Sequence, residues 1–108
     1  MKKVFVCSPF RPTGENREAE RKQNVERARR ACRVAISQGM LPLAPHLYFT
    51  QFLDDDQPDH PRMGMAMGHE WLDEADEMWL VGPKVTEGMR QELEYARMKN
   101  IPVKMKKV

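Results

Sequence analysis

Short apolar runs alternate with helical segments along this sequence, and this order limits the fold more than any other feature. Val4-Phe5-Val6-Cys7 is apolar without alternation, as expected for a strand covered on both faces, and Ser8-Pro9 ends it. A helical pattern runs from Glu18 to Gln38 and stops at Gly39. Strands that alternate with helices predict an α/β fold, a small doubly wound parallel sheet of the Rossmann-like or flavodoxin-like kind with helices on both faces.

The remaining elements continue the alternation. The apolar face predicted for the first helix consists of Val25, Ala28, Cys32, Ala35 and Ile36. A second strand at 40–44 should be short or placed at an edge because of Pro42, and the stretch at 45–61 holds a functional loop or a short helix. The pattern then predicts a helix at 62–74, a strand at 77–81, a helix capped by Thr86 and a final strand from Ile101.

The chain is short and its charge is nearly balanced. Its 108 residues predict a single domain at 1–108, and 18 Lys and Arg against 16 Asp and Glu give a net charge of +2. This balance argues against binding to a nucleic acid polymer, and no apolar run suits a membrane span or a signal peptide. We therefore expect a cytoplasmic protein, and the nine Met residues favour association of copies into a homo-oligomer.

Ligands of open parallel sheets bind outside the carboxyl ends of the strands. This rule selects three segments, 8–11, 45–46 and 82–88. The last helix carries an apolar stripe formed by Met89, Leu93 and Ala96. Glu92 lies at the border of that stripe, so its carboxylate faces inward, or else reaches water or an Arg partner. Glu94 points away from the stripe, and we expect it in solvent.

The segment around Glu92 carries a motif. Thr86-Glu87-Gly88-Met89-Arg90-Gln91-Glu92-Leu93-Glu94-Tyr95-Ala96 resembles the signature of the nucleoside 2-deoxyribosyltransferase family and its nucleotide N-hydrolase relatives. The resemblance implies that Glu92 is the nucleophile and that Thr86 contacts the sugar or the phosphate. Cys7-Ser8-Pro9-Phe10-Arg11 is similar to the family's first phosphate or sugar loop, and Trp71-Leu72-Asp73-Glu74-Ala75-Asp76 to the segment before its catalytic helix.

The chain departs from the family pattern at two positions. Members that act on nucleosides usually carry an Asp eight residues before the position of Asp76, where it contacts the base, and here that residue is Gly68. The family's glycine two residues after the glutamate is Glu94 in this chain. These departures suit the short relatives of the family, and they leave open how a base is recognised.

The resemblance implies that a carboxylate stabilises an oxocarbenium-like transition state or forms a glycosyl-enzyme intermediate, and Glu92 takes that role. A departing base needs a proton or a hydrogen bond, for which the candidates are His46, His69 and Glu70. Contacts to the substrate are expected from Ser8, Phe10, Arg11, His46, Thr86, Gly88 and Met89. The His and Cys spacings match no metal motif, and we expect neither a metal nor a cofactor.

Three functions are compatible with these observations. The first is an enzyme that cleaves or transfers the N-glycosidic bond of a (deoxy)nucleoside or nucleoside 5′-monophosphate. The second is a non-catalytic nucleotide-binding or sensing module that uses the same crevice and leaves its ligand unchanged. The third is an interaction subunit that works through its Met-rich helix. Release of free base that depends on Glu92 distinguishes the first from the other two.

Overall fold

The computed structural model describes residues 1–54 and 56–108. Strands and helices alternate in them as predicted: β1 Lys3–Cys7, α1 Arg17–Ser37, β2 Leu41–Leu43, α2 Pro45–Tyr48, α3 His60–Asp73, β3 Glu77–Val81, α4 Glu87–Met98 and β4 Val103–Lys106. A 3-10 turn, Phe49–Gln51, follows α2, so the stretch left open at 45–61 begins with a short helix. Asp55 of that stretch lies outside the described residues. None of the described helices is long and apolar enough to cross a membrane.

The strands form one four-stranded parallel sheet in the order β2-β1-β3-β4, which confirms the predicted fold class. β2 has three residues and lies at an edge of the sheet. At an edge, the missing N–H of Pro42 costs no hydrogen bond between strands. The chain goes from β1 to β2 on one side and returns to β3 on the other side of β1. Ligand crevices of open α/β sheets form where the strand order reverses in this way, here between β1 and β3.

Successive residues of the central strands point to opposite faces of the sheet. One face packs Val4, Val6, Trp79 and Val81 against Ala31 and Ala35 of α1. The other face packs Phe5, Cys7 and Met78 against Leu72 of α3 and Met89 and Ala96 of α4. The sheet therefore lies between one long helix and a pair of shorter ones, and the pair places α4 next to the end of β1.

The buried stripe of α1 differs from the predicted one. Its buried residues are Asn24, Ala28, Ala31 and Ala35. Ile36 is 62% exposed, so its predicted place on the apolar face is wrong, because it lies about 100° around the helix from Ala35. The polar member of the stripe, Asn24, donates from Nδ2 to the carbonyl oxygen of Phe10 at 3.0 Å. This hydrogen bond links the segment after β1 to α1.

A buried carboxylate holds the amino-terminal edge of the sheet together. Glu77 is 2% exposed, and its Oε1 lies 2.6 Å from Lys2 Nζ and 3.3 Å from Lys104 Nζ. Its Oε2 accepts a hydrogen bond from Trp79 Nε1 at 2.7 Å. Burial alone would raise the pKa of Glu77, but the hydrogen bonds from Lys2, Trp79 and Lys104 outweigh it and lower the pKa to about 2. The ion pairs link β3 to β4 and to the residue that precedes β1.

We expect Glu77→Gln to reduce stability near neutral pH and to remove part of the acid sensitivity of the fold. A lowered carboxyl pKa contributes stability above the ordinary value of 4.5, and that stability is lost as the pH falls through about 2. Since both lysine partners are about half exposed, the expected loss at pH 7 is about 1 to 2 kcal/mol. Urea unfolding of the wild type and of Glu77→Gln at pH 7 and at pH 3 measures this loss of stability. An equal loss at both pH values would show that the ionised carboxylate contributes nothing.

Candidate functional site

Four segments distant in the sequence meet at the carboxyl edge of the sheet. Ser8 directly follows β1 and is buried, and its Oγ lies 2.9 Å from Nε2 of His46 in α2. The His46 ring meets the Phe10 ring edge-on, with centroids 5.6 Å apart. The fold thus brings together three of the residues selected from the sequence, and α3 and α4 complete the surroundings. We call the part of this edge where Ser8, His46, Gly68 and Glu92 lie the crevice.

The Glu92 carboxylate lies beside Gly68 of α3. A Cβ added to Gly68 would lie 3.9 Å from Glu92 Oε2 and 3.7 Å from Pro45 Cγ, so Gly68 lies between α4 and the start of α2. Cys7, the last residue of β1, approaches the same helix from the sheet side, with its Sγ 3.7 Å from the carbonyl oxygen of Met89. By contrast, Glu94 is exposed and accepts a hydrogen bond from Arg90 Nη1 at 3.0 Å. The two glutamates of this helix therefore have opposite environments, as expected from the apolar stripe.

Burial shifts the protonation of both central ionisable groups toward the neutral form. Burial raises the pKa of Glu92 to about 7, although the hydrogen bond from Cys7 acts in the opposite direction. Burial also lowers the pKa of His46 to about 4, so its imidazole is neutral at pH 7. The crevice therefore holds a carboxylate that exists in both protonation states near pH 7, beside a neutral imidazole and a hydroxyl. Carboxyl groups in this range are suited to acid, base or nucleophilic chemistry.

The amino terminus of α4 borders the same edge. Thr86 caps the helix: its Oγ1 accepts a hydrogen bond from Met89 N at 3.3 Å, and its own N–H donates to Met89 Sδ at 3.4 Å. Met89 as a whole is 2% exposed and its side chain packs in the core, away from the place of a ligand contact that the sequence predicted. The space around Gly88 is open, because no atom beyond its own helix turn and chain neighbours lies within 4 Å of a Cβ placed there. A ligand can therefore approach the first turn closely.

The other two residues suggested as proton donors interact with Tyr95 of α4. His69 stacks on the ring of Tyr95, with centroids 4.2 Å apart, and Tyr95 is one helical turn beyond Glu92. The Nε2 atom of His69 is buried and has no hydrogen-bond partner among the described residues. Glu70 is exposed, and its charge acts on Tyr95. Arg11, predicted to bind phosphate, is exposed in the segment after β1. Among the three candidates, His46 is the one that bonds to Ser8.

Sequence reasoning missed one residue that lies at this edge. Cys7 ends an apolar run, and it was not among the residues expected to contact the substrate. Its side chain shares a face of the sheet with Phe5, and α4 covers that face, which places the thiol beside the helix that carries Glu92. Strand parity could have identified it. Pro45, which the strand-end rule selected together with His46, begins α2.

Two cavities of the described residues lie away from the crevice. One of about 480 Å³ is at the amino-terminal edge of the sheet, lined in part by Asp73, Asp76 and Lys99. The other, of about 590 Å³, follows the exposed side of α1. Neither shares a lining residue with the crevice. The candidate site is therefore defined by the meeting of reactive side chains at the carboxyl edge, and not by cavity volume.

Comparisons with known proteins agree with this fold. A family model described as "Domain of unknown function (DUF7768)" matches residues 2–106. The solved structure of the 2-deoxyribosyltransferase from the psychrotolerant bacterium Bacillus psychrosaccharolyticus superposes with a TM-score of 0.68 at 18% identity, over 97% of this chain and 72% of that chain. No curated protein matches the sequence at a significant level. The structural likeness shows a shared fold with a nucleoside-processing enzyme.

Proposed function

The chain belongs to the family described as "Domain of unknown function (DUF7768)", and we propose that it cleaves or transfers the N-glycosidic bond of a (deoxy)nucleoside or nucleoside 5′-monophosphate. The observation that carries this proposal is the Glu92 carboxylate, which lies beside Gly68 at the carboxyl edge and has a pKa raised to about 7 by burial. The resemblance of 86–96 to the deoxyribosyltransferase signature and the fold shared with the Bacillus psychrosaccharolyticus enzyme add independent support.

In the first step, an ionised Glu92 oxygen attacks the anomeric carbon of the sugar. A bond forms between that carbon and the carboxylate as the bond to the base nitrogen breaks, and the electron pair of the broken bond stays on the base. The base then takes a proton from water. His46 is neutral at pH 7, so it serves as a hydrogen-bond partner of Ser8 or the base and not as a cationic acid.

In the second step, water or the nitrogen of another base attacks the same anomeric carbon. The ester bond to Glu92 breaks and its electron pair restores the carboxylate, while the attacking group loses a proton to solvent. Hydrolysis and transfer thus share the first step and differ only in the acceptor. Partial desolvation strengthens the carboxylate as a nucleophile, because fewer waters have to be removed before it reacts.

A 5′-phosphate finds suitable groups at the same edge. The backbone amides that open α4 and the positive end of the helix dipole attract anions, and the open space at Gly88 lets a phosphate reach them. The Ser8 hydroxyl and the Arg11 guanidinium are the other phosphate-binding residues that we propose. The bond from Asn24 to the Phe10 carbonyl fixes the backbone at this position, and the Phe10 ring supplies an apolar surface for the sugar or base.

Incubation with a panel of deoxynucleosides, ribonucleosides and their 5′-monophosphates, with and without an added free base, tests the proposal. We expect liquid chromatography to show free base from at least one substrate, or an exchanged nucleoside when a second base is present. Thermal shift measurements on the same panel give binding separately from turnover. Ligand-induced stabilisation with fully recovered ligand would contradict the enzyme and favour the non-catalytic binding module.

A further inference from the structure

We propose that Glu20 is a specificity-determining residue, whose carboxylate fills an anion site at the carboxyl edge of the sheet and thereby excludes polyphosphate ligands. The inference rests on the proposed function, whose substrates carry at most one phosphate, and it names the residue that rejects a longer phosphate chain. Removal of this carboxylate should leave an open site for a phosphate group.

Donors from two segments of the chain converge on the Glu20 carboxylate. Its Oε2 accepts a hydrogen bond from the backbone N–H of Thr13 at 2.8 Å, and its Oε1 accepts one from the N–H of Gly14 at 2.9 Å. The Lys84 ammonium lies 3.5 Å from Oε2 and also donates to the Thr13 hydroxyl. Two successive amides, a hydroxyl and an ammonium form the kind of concave donor set that binds phosphate groups in proteins.

This anion site lies at the edge where the proposed substrate binds. Thr13 belongs to the segment that follows β1 and Lys84 to the segment that follows β3, so the site joins the two strands between which the strand order reverses. Lys84 is two residues before Thr86, the cap of α4, so their Cα atoms are at most about 7 Å apart. A phosphate chain that extends from the first turn of α4 toward Lys84 therefore meets the Glu20 carboxylate.

The carboxylate changes the charge that a ligand meets at this site. The Glu20 side chain is 21% exposed, and the hydrogen bonds from Thr13 and Gly14 lower its pKa, so it is ionised at neutral pH. It pairs with the Lys84 ammonium and occupies both amides. A ligand anion has to break these hydrogen bonds and separate the ion pair before it can bind, whereas an empty site would attract it.

Other contacts hold the segment after β1 in place without this carboxylate. Asn24 of α1 bonds to the Phe10 carbonyl, and the Pro9 ring packs against Gly82 in the segment after β3. Loss of the Glu20 carboxylate should therefore leave the fold intact. Its effect on anion binding can then be measured on its own.

Calorimetric titration of the full-length protein with inorganic tripolyphosphate at constant ionic strength tests the inference. We expect weak binding to the wild type and binding to Glu20→Ala that is tighter by about tenfold or more, because the donors of the site become available. Glu26→Ala is the matched control, since it removes an exposed carboxylate of the same helix that pairs with Arg33 at 2.8 Å, and it should change the affinity by less than about twofold. Adding Lys84→Ala to Glu20→Ala should remove the gain.

Nitrogen-15 NMR of the backbone amides locates the bound anion. In Glu20→Ala, tripolyphosphate should move the signals of Thr13 and Gly14, whereas the signal of Gly88 reports separately on the first turn of α4. Equal affinities of the wild type and Glu20→Ala would overturn the inference, because Glu20 would then exclude nothing. A gain no larger than that of Glu26→Ala, or one that leaves the Thr13 and Gly14 signals in place, would overturn it as well.

These outcomes do not depend on turnover. If the nucleoside panel yields no free base while tripolyphosphate binds Glu20→Ala at Gly14, the anion site is supported although the proposed enzyme is not. Where turnover is found, Glu20→Ala should lower the KM for a nucleoside 5′-triphosphate more than for its 5′-monophosphate, and equal changes would contradict the exclusion. Glu20→Gln keeps the shape of the side chain without its charge, so its affinity for tripolyphosphate should exceed that of the wild type, and this decides the question should Glu20→Ala fail to fold.

Discussion

Glu92→Gln is expected to abolish base release while making the folded protein more stable at pH 8. Loss of the nucleophile should reduce kcat by roughly a thousandfold or more. A raised carboxyl pKa means that the folded protein holds the proton more tightly than the unfolded chain does. The wild type therefore loses stability as the pH rises from the ordinary value of 4.5 toward about 7, whereas the amide has no charge to desolvate.

The stability difference between Glu92→Gln and the wild type should grow by about 2 to 3 kcal/mol between pH 5 and pH 8. Urea unfolding at the two pH values measures it, and liquid chromatography of the released base measures turnover. Glu94→Gln is the matched control, because the same substitution on the exposed side of the same helix should change stability by less than about 0.5 kcal/mol at either pH. Parallel pH profiles for Glu92→Gln and the wild type would mean that the carboxylate is solvated, and the proposed nucleophile would lose its physical basis.

Gly82→Ala is expected to cost about 2 to 4 kcal/mol of stability. Gly82 directly follows β3 and has a φ of +118°, which a residue with a side chain rarely adopts. A Cβ at this position would also lie 2.7 Å from Cδ of Pro9, a fully buried residue, so one of the two loops has to move. Since Pro9 follows Ser8 directly, that movement should disturb the crevice as well as the fold.

Substitutions at two other glycines separate the backbone strain from the steric clash in this loss of stability. Gly39 has a φ of +75° and open space at its Cβ position, so Gly39→Ala should show the backbone strain alone, about 1 kcal/mol. Gly88 has open space and no positive φ, so Gly88→Ala should be nearly neutral for stability. Chemical unfolding of the three variants under one condition gives the comparison. If Gly82→Ala costs no more than Gly39→Ala, the close approach to Pro9 is not a real constraint.

Most of the fold could be predicted from the sequence, because local patterns determine each element. Apolar runs bounded by Pro or Gly predicted the strands, and the stop at Gly39 and the cap at Thr86 predicted helix ends. The buried face of α1 was harder to predict. Its contact with the sheet is made by small residues, Ala28, Ala31 and Ala35, which attract less attention in a hydrophobic pattern than the larger but exposed Ile36.

The candidate site could be predicted only in part. The stripe of the last helix and its motif identified Glu92, and the strand-end rule identified Ser8 and His46. Their mutual arrangement depends on β2 lying beside β1 and on α2 starting immediately after β2, and no local pattern gave that geometry. The approach of Cys7 to the helix that carries Glu92 depends likewise on which helix covers which face of the sheet, a property of the whole chain.

The strand order also bears on how copies of this chain can meet. The two strands at the sides of the sheet present unpaired backbone groups, which in other proteins are templates for intermolecular strand addition. Here β2 carries Pro42, which lacks a donor, and β4 carries Lys106, whose charge disfavours pairing with the same strand of a second copy. Any assembly of this protein should therefore form through its helices and loops, with each sheet ending inside its own subunit.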